Sequence, residues 1–379
     1  MRKRLGATLM ILGIGLAVAG PAAAAQAEPP FDGLEYVALG DSYSAGFGLL
    51  PLVSGSPDGC YRAEENYPHR IAAELGLELT DMTCSGAVTA NIDVTGQTTM
   101  NGVGPLPLQG SALSATTDIV TLTIGGNDLG FATVAETCVK LAENEPPVAL
   151  PFVNNCKEFY NPGPGTDSLI TVLNDSVVPA LNRVFGYIAA QAPNAKVFVL
   201  GYPQIAPDDI AHPDGCFSSP IGPTWPDPPF PQDTVPFSAI DLHYLHGIEG
   251  QLDDAIEVAA DAQGFTFLST WDATDGHTLC DGDDSYIFGV GLTNDPDAGT
   301  PLIGDLYVTL GALHPNLQGV PFLENEALAA IRSQNFSQTG QAQLAATGID
   351  GAPLGIAGLG IAFVGLVLLA ARRRARPVE

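Results

Sequence analysis

The sequence predicts an α/β fold in which helices cover both faces of a five-stranded parallel sheet. Five short apolar runs, rich in Val, Ile, Leu, Phe and Thr, recur along the chain. They are continuous rather than alternating, which is typical of strands that are buried on both faces. Segments with helical patterning separate them, and this alternation favours parallel strands joined by helices in a three-layer α/β/α arrangement.

The elements follow from the apolar runs and the segments between them. The predicted strands are LEYVALG (34–40), LELTDMTC (77–84), DIVTLTIGG (118–126), AKVFVLGYP (195–203) and GFTFLST (264–270). The predicted helices cover 67–75, 169–191, 240–262 and 322–333. Ligands of such folds bind beyond the carboxyl ends of the strands, so the residues that follow each strand are where a functional site is expected.

Two stretches, 136–165 and 203–236, contain too much proline for regular elements. Each also holds cysteine, which indicates surface loops fixed by disulfides. All six cysteines lie between the two terminal segments of the chain. An even number in an exported protein indicates three disulfides, but six cysteines allow fifteen pairings. None has the spacing of a zinc site, so no metal and no cofactor are expected.

The N-terminal segment, residues 1–27, has the three parts of a secretory signal peptide. A basic start, MRKRLG, precedes an apolar run and the small-residue stretch PAAAAQA, with a cleavage site after Ala25-Gln26-Ala27. The alternative is an N-terminal membrane anchor, but the apolar run is short for a membrane span. We therefore expect export and removal of this segment.

The C-terminal segment predicts attachment to the cell surface. A polar linker, 336–350, contains LAATG (344–348) and precedes an uncharged span, 351–371, and a basic tail, 372–379, expected to stay cytoplasmic. This order resembles a Gram-positive sortase sorting signal, in which the bond between Thr347 and Gly348 is cut and the threonine joined to the wall. Ala stands where the commoner motif has proline, as in an actinobacterial variant. The alternative is a plain C-terminal membrane anchor.

The charge of the chain excludes several partners. Lys and Arg number 14 against 42 Asp and Glu, for a net charge of −28. Nucleic acids and anionic membrane surfaces require clustered cations, so neither is an expected partner.

Three of the strand ends carry residue types that suit acyl transfer. Ser42, in GDSYSAG, offers a hydroxyl nucleophile; the alternative is that Asp41 or Ser42 only caps a helix. Gly86, in CSGA, offers a bare backbone N–H, and Asn127, in GGND, offers a neutral amide donor; for each, the alternative is an ordinary turn residue. Ser44 occupies the position where the α/β-hydrolase motif has glycine, so that fold's signature is absent.

A serine nucleophile needs a base, and the chain has six histidines. His314, in GALHPN, precedes the last predicted helix and therefore belongs near the same edge of the sheet. The other five lie in helical patterns or cysteine-bearing loops, where surface or packing roles are expected.

The four blocks GDSYSAG, SGA, GGND and HPN resemble, in order and spacing, those of the SGNH (GDSL-type) esterases and lipases, in particular secreted actinobacterial members. The resemblance covers about residues 33–335, and we expect one hydrolase domain over 31–335 with the flavodoxin-like fold of that family. It implies that Ser42 is the nucleophile and His314 the general base. The N–H groups of Ser42 and Gly86 and the side chain of Asn127 would form the oxyanion hole.

The resemblance also implies disulfides in sequence order, Cys60–Cys84, Cys138–Cys156 and Cys216–Cys280. Many members place an aspartate three residues before the histidine, but this position is Gly311 here. We therefore expect a Ser-His dyad with the carbonyl of Gly311 orienting the ring, and Asp305 as the alternative partner.

The expected activity is that of a monomeric, surface-anchored serine esterase or lipase acting on acyl lipid esters, a carboxylic ester hydrolase. Aromatic residues of the two proline-rich loops either line an acyl groove or cover the sheet edge: Phe152, Phe217, Trp225 and Phe230. Two alternatives stay open: an O-acetyl esterase acting on carbohydrate, and a non-catalytic adhesin on the same fold.

Overall fold

The computed structural model describes residues 31–336 of the chain. The predicted signal peptide, the sorting motif with Thr347 and Gly348, the apolar span and the basic tail lie outside the described residues. Within 31–336, none of the helices combines the length and the apolar composition needed to cross a membrane.

Five parallel strands form the central sheet, in the order β2-β1-β3-β4-β5. Their bounds are β1 Glu35–Gly40, β2 Glu78–Asp81, β3 Ile119–Thr123, β4 Lys196–Leu200 and β5 Thr266–Leu268. Because all five run in one direction, the segments that follow them meet at a single edge of the sheet. The predicted α/β class with a five-stranded parallel sheet is confirmed.

Helices cover both faces of this sheet. Their bounds are α1 Ser42–Ala45, α2 Tyr67–Leu75, α3 Ala90–Asp93, α4 Gly126–Leu129, α5 Phe131–Cys138, α6 Cys156–Tyr160, α7 Ser168–Val172, α8 Val178–Gln191, α9 Ala239–Ala262 and α10 Gly319–Arg332. The helix predicted over 169–191 is interrupted by one turn of π-helix, Leu173–Val177, between α7 and α8.

The alternation of side chains along β1 shows how the layers are held together. Val37 and Leu39 pack into the larger apolar core, which contains residues of α8 and α9. Tyr36 and Ala38 point the other way, into the core shared with α2 and α10. Burial of both faces accounts for the continuous apolar character of the strand.

A small antiparallel sheet, which the sequence did not predict, lies between β5 and α10. It has the order β6-β8-β7, with β6 Leu292–Thr293, β7 Gly299–Ile303 and β8 Leu306–Thr309. Its strands are only two to five residues long, and β7 contains Gly and Pro, so none forms a recognisable apolar run.

Three disulfides fix the loops around the strand ends. Cys60 pairs with Cys84, Cys138 with Cys156, and Cys216 with Cys280. These are the pairs implied by the resemblance. The first joins the segment after α1 to the segment after β2. Its second cysteine, Cys84, stands directly before Ser85 and Gly86.

Candidate active site

Ser42 is the first residue of α1, and only Asp41 separates it from the end of β1. Asp41 caps this helix, since its Oδ1 accepts the backbone N–H of Tyr43 at 3.0 Å. The capping function therefore belongs to Asp41, and the Ser42 side chain is free to face the cavity that it lines. The Ser42 hydroxyl lies 2.7 Å from Nε2 of His314.

His314 is held by a turn that follows β8. Its Nδ1 lies 2.8 Å from the carbonyl oxygen of Ala312. A carbonyl only accepts, so Nδ1 must carry the proton, and the lone pair of Nε2 faces the Ser42 hydroxyl. This tautomer is the one that can accept the serine proton.

The expectation that the Gly311 carbonyl orients the ring is wrong. That carbonyl accepts the backbone N–H of His314 at 3.1 Å, so it closes the turn instead. Leu313 has a positive φ of 62°, which turns the chain so that the neighbouring carbonyl, that of Ala312, reaches the ring. Asp305 is exposed in the turn between β7 and β8, and the Nδ1 hydrogen bond does not go to it.

Backbone packing explains the absence of a carboxylate at position 311. Gly311 has φ +88°, and a Cβ there would lie 2.8 Å from the Cα of Gly48. A side chain at this position would therefore combine an unfavourable backbone conformation with a clash against main-chain atoms. Ala312 then provides the orienting group that the side chain cannot.

The His314 ring packs between two aromatic side chains. Its centroid lies 5.0 Å from that of Tyr43 and 4.9 Å from that of Phe47. Burial disfavours the imidazolium and lowers the pKa of His314 from 6.5 to about 4, although the hydrogen bond to Ala312 acts in the opposite direction. The ring is therefore a neutral base at pH 7.

Two further donors border the same cavity. Gly86 has φ +79°, a conformation that favours glycine, and lines the cavity together with Asn127. The Asn127 amide donates one N–H to the carbonyl of Ala87 at 2.9 Å, which fixes the side chain and leaves its second N–H. Among the described residues, the backbone N–H groups of Ser42 and Gly86 donate to no recorded partner. The structure thus brings Ser42, Gly86, Asn127 and His314 to one cavity.

Gln97 holds the Gly86 peptide, and the sequence did not identify it. Its Nε2 donates to the carbonyl of Ser85 at 2.8 Å. In a trans peptide the carbonyl and the following N–H point in opposite directions, so this bond fixes the direction of the Gly86 N–H. Gln97 and Ser85 are both buried, and since burial is visible only in the structure, the sequence around Gln97 carries no signal of this role.

A second network, also missed, ties three strand ends together through Tyr202. Its hydroxyl donates to Oδ2 of Asp41 and accepts the backbone N–H of Gly126 at 3.0 Å. Burial raises the pKa of Asp41 to about 7, against the opposing effect of its hydrogen bonds from Tyr202, Tyr43 and Thr123. These contacts position the residues directly before Ser42 and Asn127.

The cavity beside Ser42 has a volume of about 220 Å³ and a mainly apolar lining. Representative apolar lining residues come from α5, the loop after β4, the segment before α9, α9 itself and β8: Phe131, Ala135, Ile205, Phe237, Leu252 and Val308. Such a lining accommodates a hydrocarbon chain.

The aromatic residues of the two proline-rich loops do not line this cavity, contrary to one of the two interpretations of the sequence. Phe152 is 73% exposed and Trp225 40% exposed. Phe217 and Phe230 are likewise absent from the lining. Within the described part of the chain, no cluster of three or more His, Cys, Asp or Glu side chains is arranged to hold a metal ion.

Comparison with known proteins places this geometry in a family. Residues 38–320 match the GDSL-like lipase/acylhydrolase family. The chain is 37% identical to lipase 2 of Streptomyces coelicolor over 289 residues, which cover 74% of this chain and 85% of that protein. It is 33% identical to an esterase of Streptomyces scabiei over 305 residues, covering 76% of this chain and 84% of the relative.

Two solved structures are similar to the chain. The phospholipase A1 of Streptomyces albidoflavus NA297 aligns with a TM-score of 0.52 and 27% identity, over 80% of this chain and 100% of that protein. The extracellular lipase of Streptomyces rimosus aligns with a TM-score of 0.53 and 24% identity, over 77% of this chain and 99% of that one, a likeness of fold.

Proposed function

Because the chain belongs to the GDSL-like lipase/acylhydrolase family and is a carboxylic ester hydrolase, we propose that it cleaves acyl lipid esters with a Ser42–His314 dyad. The observation that carries this proposal is the 2.7 Å contact between the Ser42 hydroxyl and His314 Nε2 at the wall of an apolar cavity.

In the proposed mechanism, the Ser42 oxygen attacks the ester carbonyl carbon while His314 Nε2 takes the hydroxyl proton. The carbonyl oxygen becomes an oxyanion that accepts hydrogen bonds from the N–H groups of Ser42 and Gly86 and from the Asn127 amide. His314 then gives its proton to the leaving alcohol, and an acyl-enzyme is left. Water, deprotonated by His314, attacks this acyl group, and His314 then returns the proton to the departing Ser42 oxygen, which releases the acid and free Ser42.

The Ala312 carbonyl does in this dyad what a carboxylate does in a triad, with one difference. It fixes the tautomer and orientation of the ring, because it accepts the Nδ1 proton. It carries no charge, so it stabilises the imidazolium less than a carboxylate would. The proposed oxyanion donors, Ser42, Gly86 and Asn127, must therefore supply much of the transition-state stabilisation.

The apolar lining favours acyl lipid esters over the first alternative, an O-acetyl esterase acting on carbohydrate. An acetyl group has a single methyl to bury, whereas apolar residues line the cavity from Phe47 beside His314 to Val139 after α5 and Val308 on β8. The relatives named lipase support the same choice.

The test of the activity is hydrolysis of a series of nitrophenyl esters from acetate to palmitate. We expect kcat/KM to rise with chain length beyond acetate, and Ser42→Ala to abolish turnover without a change in melting temperature. Ser111→Ala, which alters an exposed serine, is the matched control and should retain full activity. Turnover retained by Ser42→Ala would refute the dyad, and hydrolysis of acetate alone would favour the carbohydrate esterase.

The second alternative, a non-catalytic adhesin, is tested by covalent labelling. A fluorophosphonate should label the wild-type protein at Ser42 and leave Ser42→Ala unlabelled. An unlabelled wild-type protein with an intact fold would favour the adhesin.

We further propose that the protein is exported and fixed to the cell wall, with 1–27 as signal peptide, 31–335 as hydrolase domain and 344–348 as sorting motif ahead of the span 351–371. Three disulfides support export, and the similar Streptomyces rimosus structure is that of an extracellular lipase. In a Gram-positive host, muramidase should release the wild-type protein, and Thr347→Ala should shift it to the membrane fraction. Wild-type protein that stays with the membrane would indicate a plain anchor.

A further inference from the structure

Glu249, on α9, is a buried carboxyl in the lining of the cavity that holds Ser42. It is 7% exposed. Its Oε2 accepts the backbone N–H groups of Ile205 and Ala206, at 3.0 and 3.3 Å. Its Oε1 is buried and has no hydrogen-bond partner among the described residues. One oxygen of this carboxyl is therefore fixed by the loop after β4, and the other is unpaired.

An unpaired buried carboxyl oxygen destabilises the folded protein unless something pairs with it. Burial raises the pKa of Glu249 to about 8, against the effect of the two backbone donors, so the group is protonated at pH 7. Since Oε2 already accepts two N–H groups, the proton belongs on Oε1. Oε1 is then a hydroxyl donor without an acceptor, which is unfavourable in a protein interior.

The position of Glu249 along the cavity indicates which part of a substrate would reach it. Met100, which also lines the cavity, is 45% exposed and marks its mouth. Phe237, Leu252 and Val290 line the cavity and are almost fully buried, so with Glu249 they form its inner part. An acyl chain attached to Ser42 that fills the inner part meets apolar side chains and one carboxyl.

We propose that Glu249 forms a polar subsite within the acyl cavity, and that it binds an oxygen atom carried by the acyl chain itself, as in hydroxyacyl or oxoacyl esters. This inference rests on the proposed function, since it takes the cavity to be the acyl site. The two backbone donors account for Oε2 but leave Oε1 unpaired, so an oxygen-bearing ligand would account for the second oxygen of the carboxyl.

The other titratable groups of the cavity lining are already engaged or lie at its rim. Tyr43 donates its hydroxyl to the carbonyl of Leu313, and Tyr202 donates to Asp41. His314 is engaged with Ser42 and Ala312. Glu136 is half-buried, and burial raises its pKa while a hydrogen bond from Thr300 lowers it.

On α9 itself, Asp253 lies one turn after Glu249 and is not part of the lining. It is equally buried, at 7% exposed, and its Oδ1 also has no partner among the described residues. Asp253→Asn therefore offers a matched control, because it neutralises a carboxyl of similar burial on the same helix outside the cavity.

The test compares nitrophenyl octanoate with hydroxy- and oxo-octanoates whose extra oxygen is moved along the chain one carbon at a time. We expect the wild-type kcat/KM to exceed that of plain octanoate by about 3- to 10-fold at one position of the oxygen, the gain from one hydrogen bond. Glu249→Leu should abolish this preference while hydrolysing plain octanoate. Glu249→Gln, which keeps a donor and an acceptor, and Asp253→Asn should retain it.

The two probes also respond differently to pH. Above about pH 8 an ionised Glu249 only accepts, so the preference for the oxoacyl ester should disappear while that for the hydroxyacyl ester persists. Glu249→Gln should show no such change. Equal kcat/KM for all octanoates, or a preference unchanged in Glu249→Leu, would overturn the subsite while leaving the esterase assignment intact. Failure to hydrolyse plain octanoate at all would refute the proposed function, and the subsite with it.

Discussion

The acid limb of the pH–activity profile tests the environment of His314 directly. Burial of its ring lowers the pKa from 6.5 to about 4. A base must be unprotonated to accept the Ser42 proton, so kcat/KM should reach half its plateau value near pH 4. At pH 5.5, roughly 97% of a base with this pKa is unprotonated, against about 9% of an ordinary histidine. The structure therefore predicts about a tenfold higher activity at pH 5.5 than an exposed dyad would have.

Substitution of Phe47 is expected to change the pKa of His314. It is buried and packs edge-on against the His314 ring at 4.9 Å, so Phe47→Ala should admit water to the ring and move the acid limb toward pH 6.5. Phe47→Leu, which keeps an apolar side chain in place, is the control and should leave the limb nearly unmoved. Activity at pH 8 should survive in both variants, because the hydrogen bonds of His314 to Ser42 and Ala312 do not involve Phe47.

The assay is titration of the acid released from a short-chain ester in a pH-stat, since nitrophenol absorbance itself changes with pH. Melting temperatures over the same pH range separate loss of activity from unfolding. A wild-type limb near pH 6.5 with an intact fold would refute the burial argument. An acid limb that does not move in Phe47→Ala would show that Phe47 does not exclude water from the ring.

Three further substitutions test other parts of the site. Gln97→Leu should lower kcat by about tenfold with KM nearly unchanged, because the Gly86 N–H loses its fixed direction, and a change in KM alone would contradict this. Asn127→Ala should lower kcat by about 10² to 10³, measured by steady-state kinetics on the same ester, and a loss of less than about threefold would exclude it as an oxyanion donor. Asp253 has a pKa raised from 3.8 to about 7, chiefly by burial, so its stabilising proton is lost as pH rises through about 7. Asp253→Asn should therefore raise the free energy of unfolding at pH 8 by up to about 4 kcal/mol and change it little at pH 4, and urea denaturation at the two pH values checks this.

The parts of the fold that the sequence predicts are those where burial leaves a pattern. The strands at β1, β3 and β4 are continuous apolar runs because both of their faces are covered, and helix α9 begins within one residue of its predicted start. The antiparallel sheet β6–β8 leaves no such pattern, since its strands are two to five residues long. One turn of π-helix after α7 has no sequence signature in the residues around it.

In the candidate site, too, some residues were predictable from the sequence and others were not. Ser42, Gly86, Asn127 and His314 come from quotable motifs at strand ends, and the fold brings them to one cavity. The groups that hold them were not predictable, because they are main-chain atoms or distant side chains. A carbonyl such as that of Ala312 exists at every position of the chain, so only the fold shows which one meets the ring. Glu249 gave one signal, a carboxyl on the apolar face of a helix, which helical patterning alone treats as an irregularity.

The dyad follows from how closely two backbone segments pack. Gly48, after α1, and Gly311, before His314, approach so closely that a Cβ on either residue would lie within 2.8 Å of the other's Cα. This contact holds the histidine-bearing turn against the serine-bearing segment, and it also leaves no room for an orienting carboxylate at position 311. A neutral carbonyl then orients the ring, and without a nearby negative charge only the hydrogen bond to Ala312 opposes the effect of burial on the pKa of His314. The low pKa, the dyad and the proposed reliance on the oxyanion donors are thus three consequences of a single steric contact.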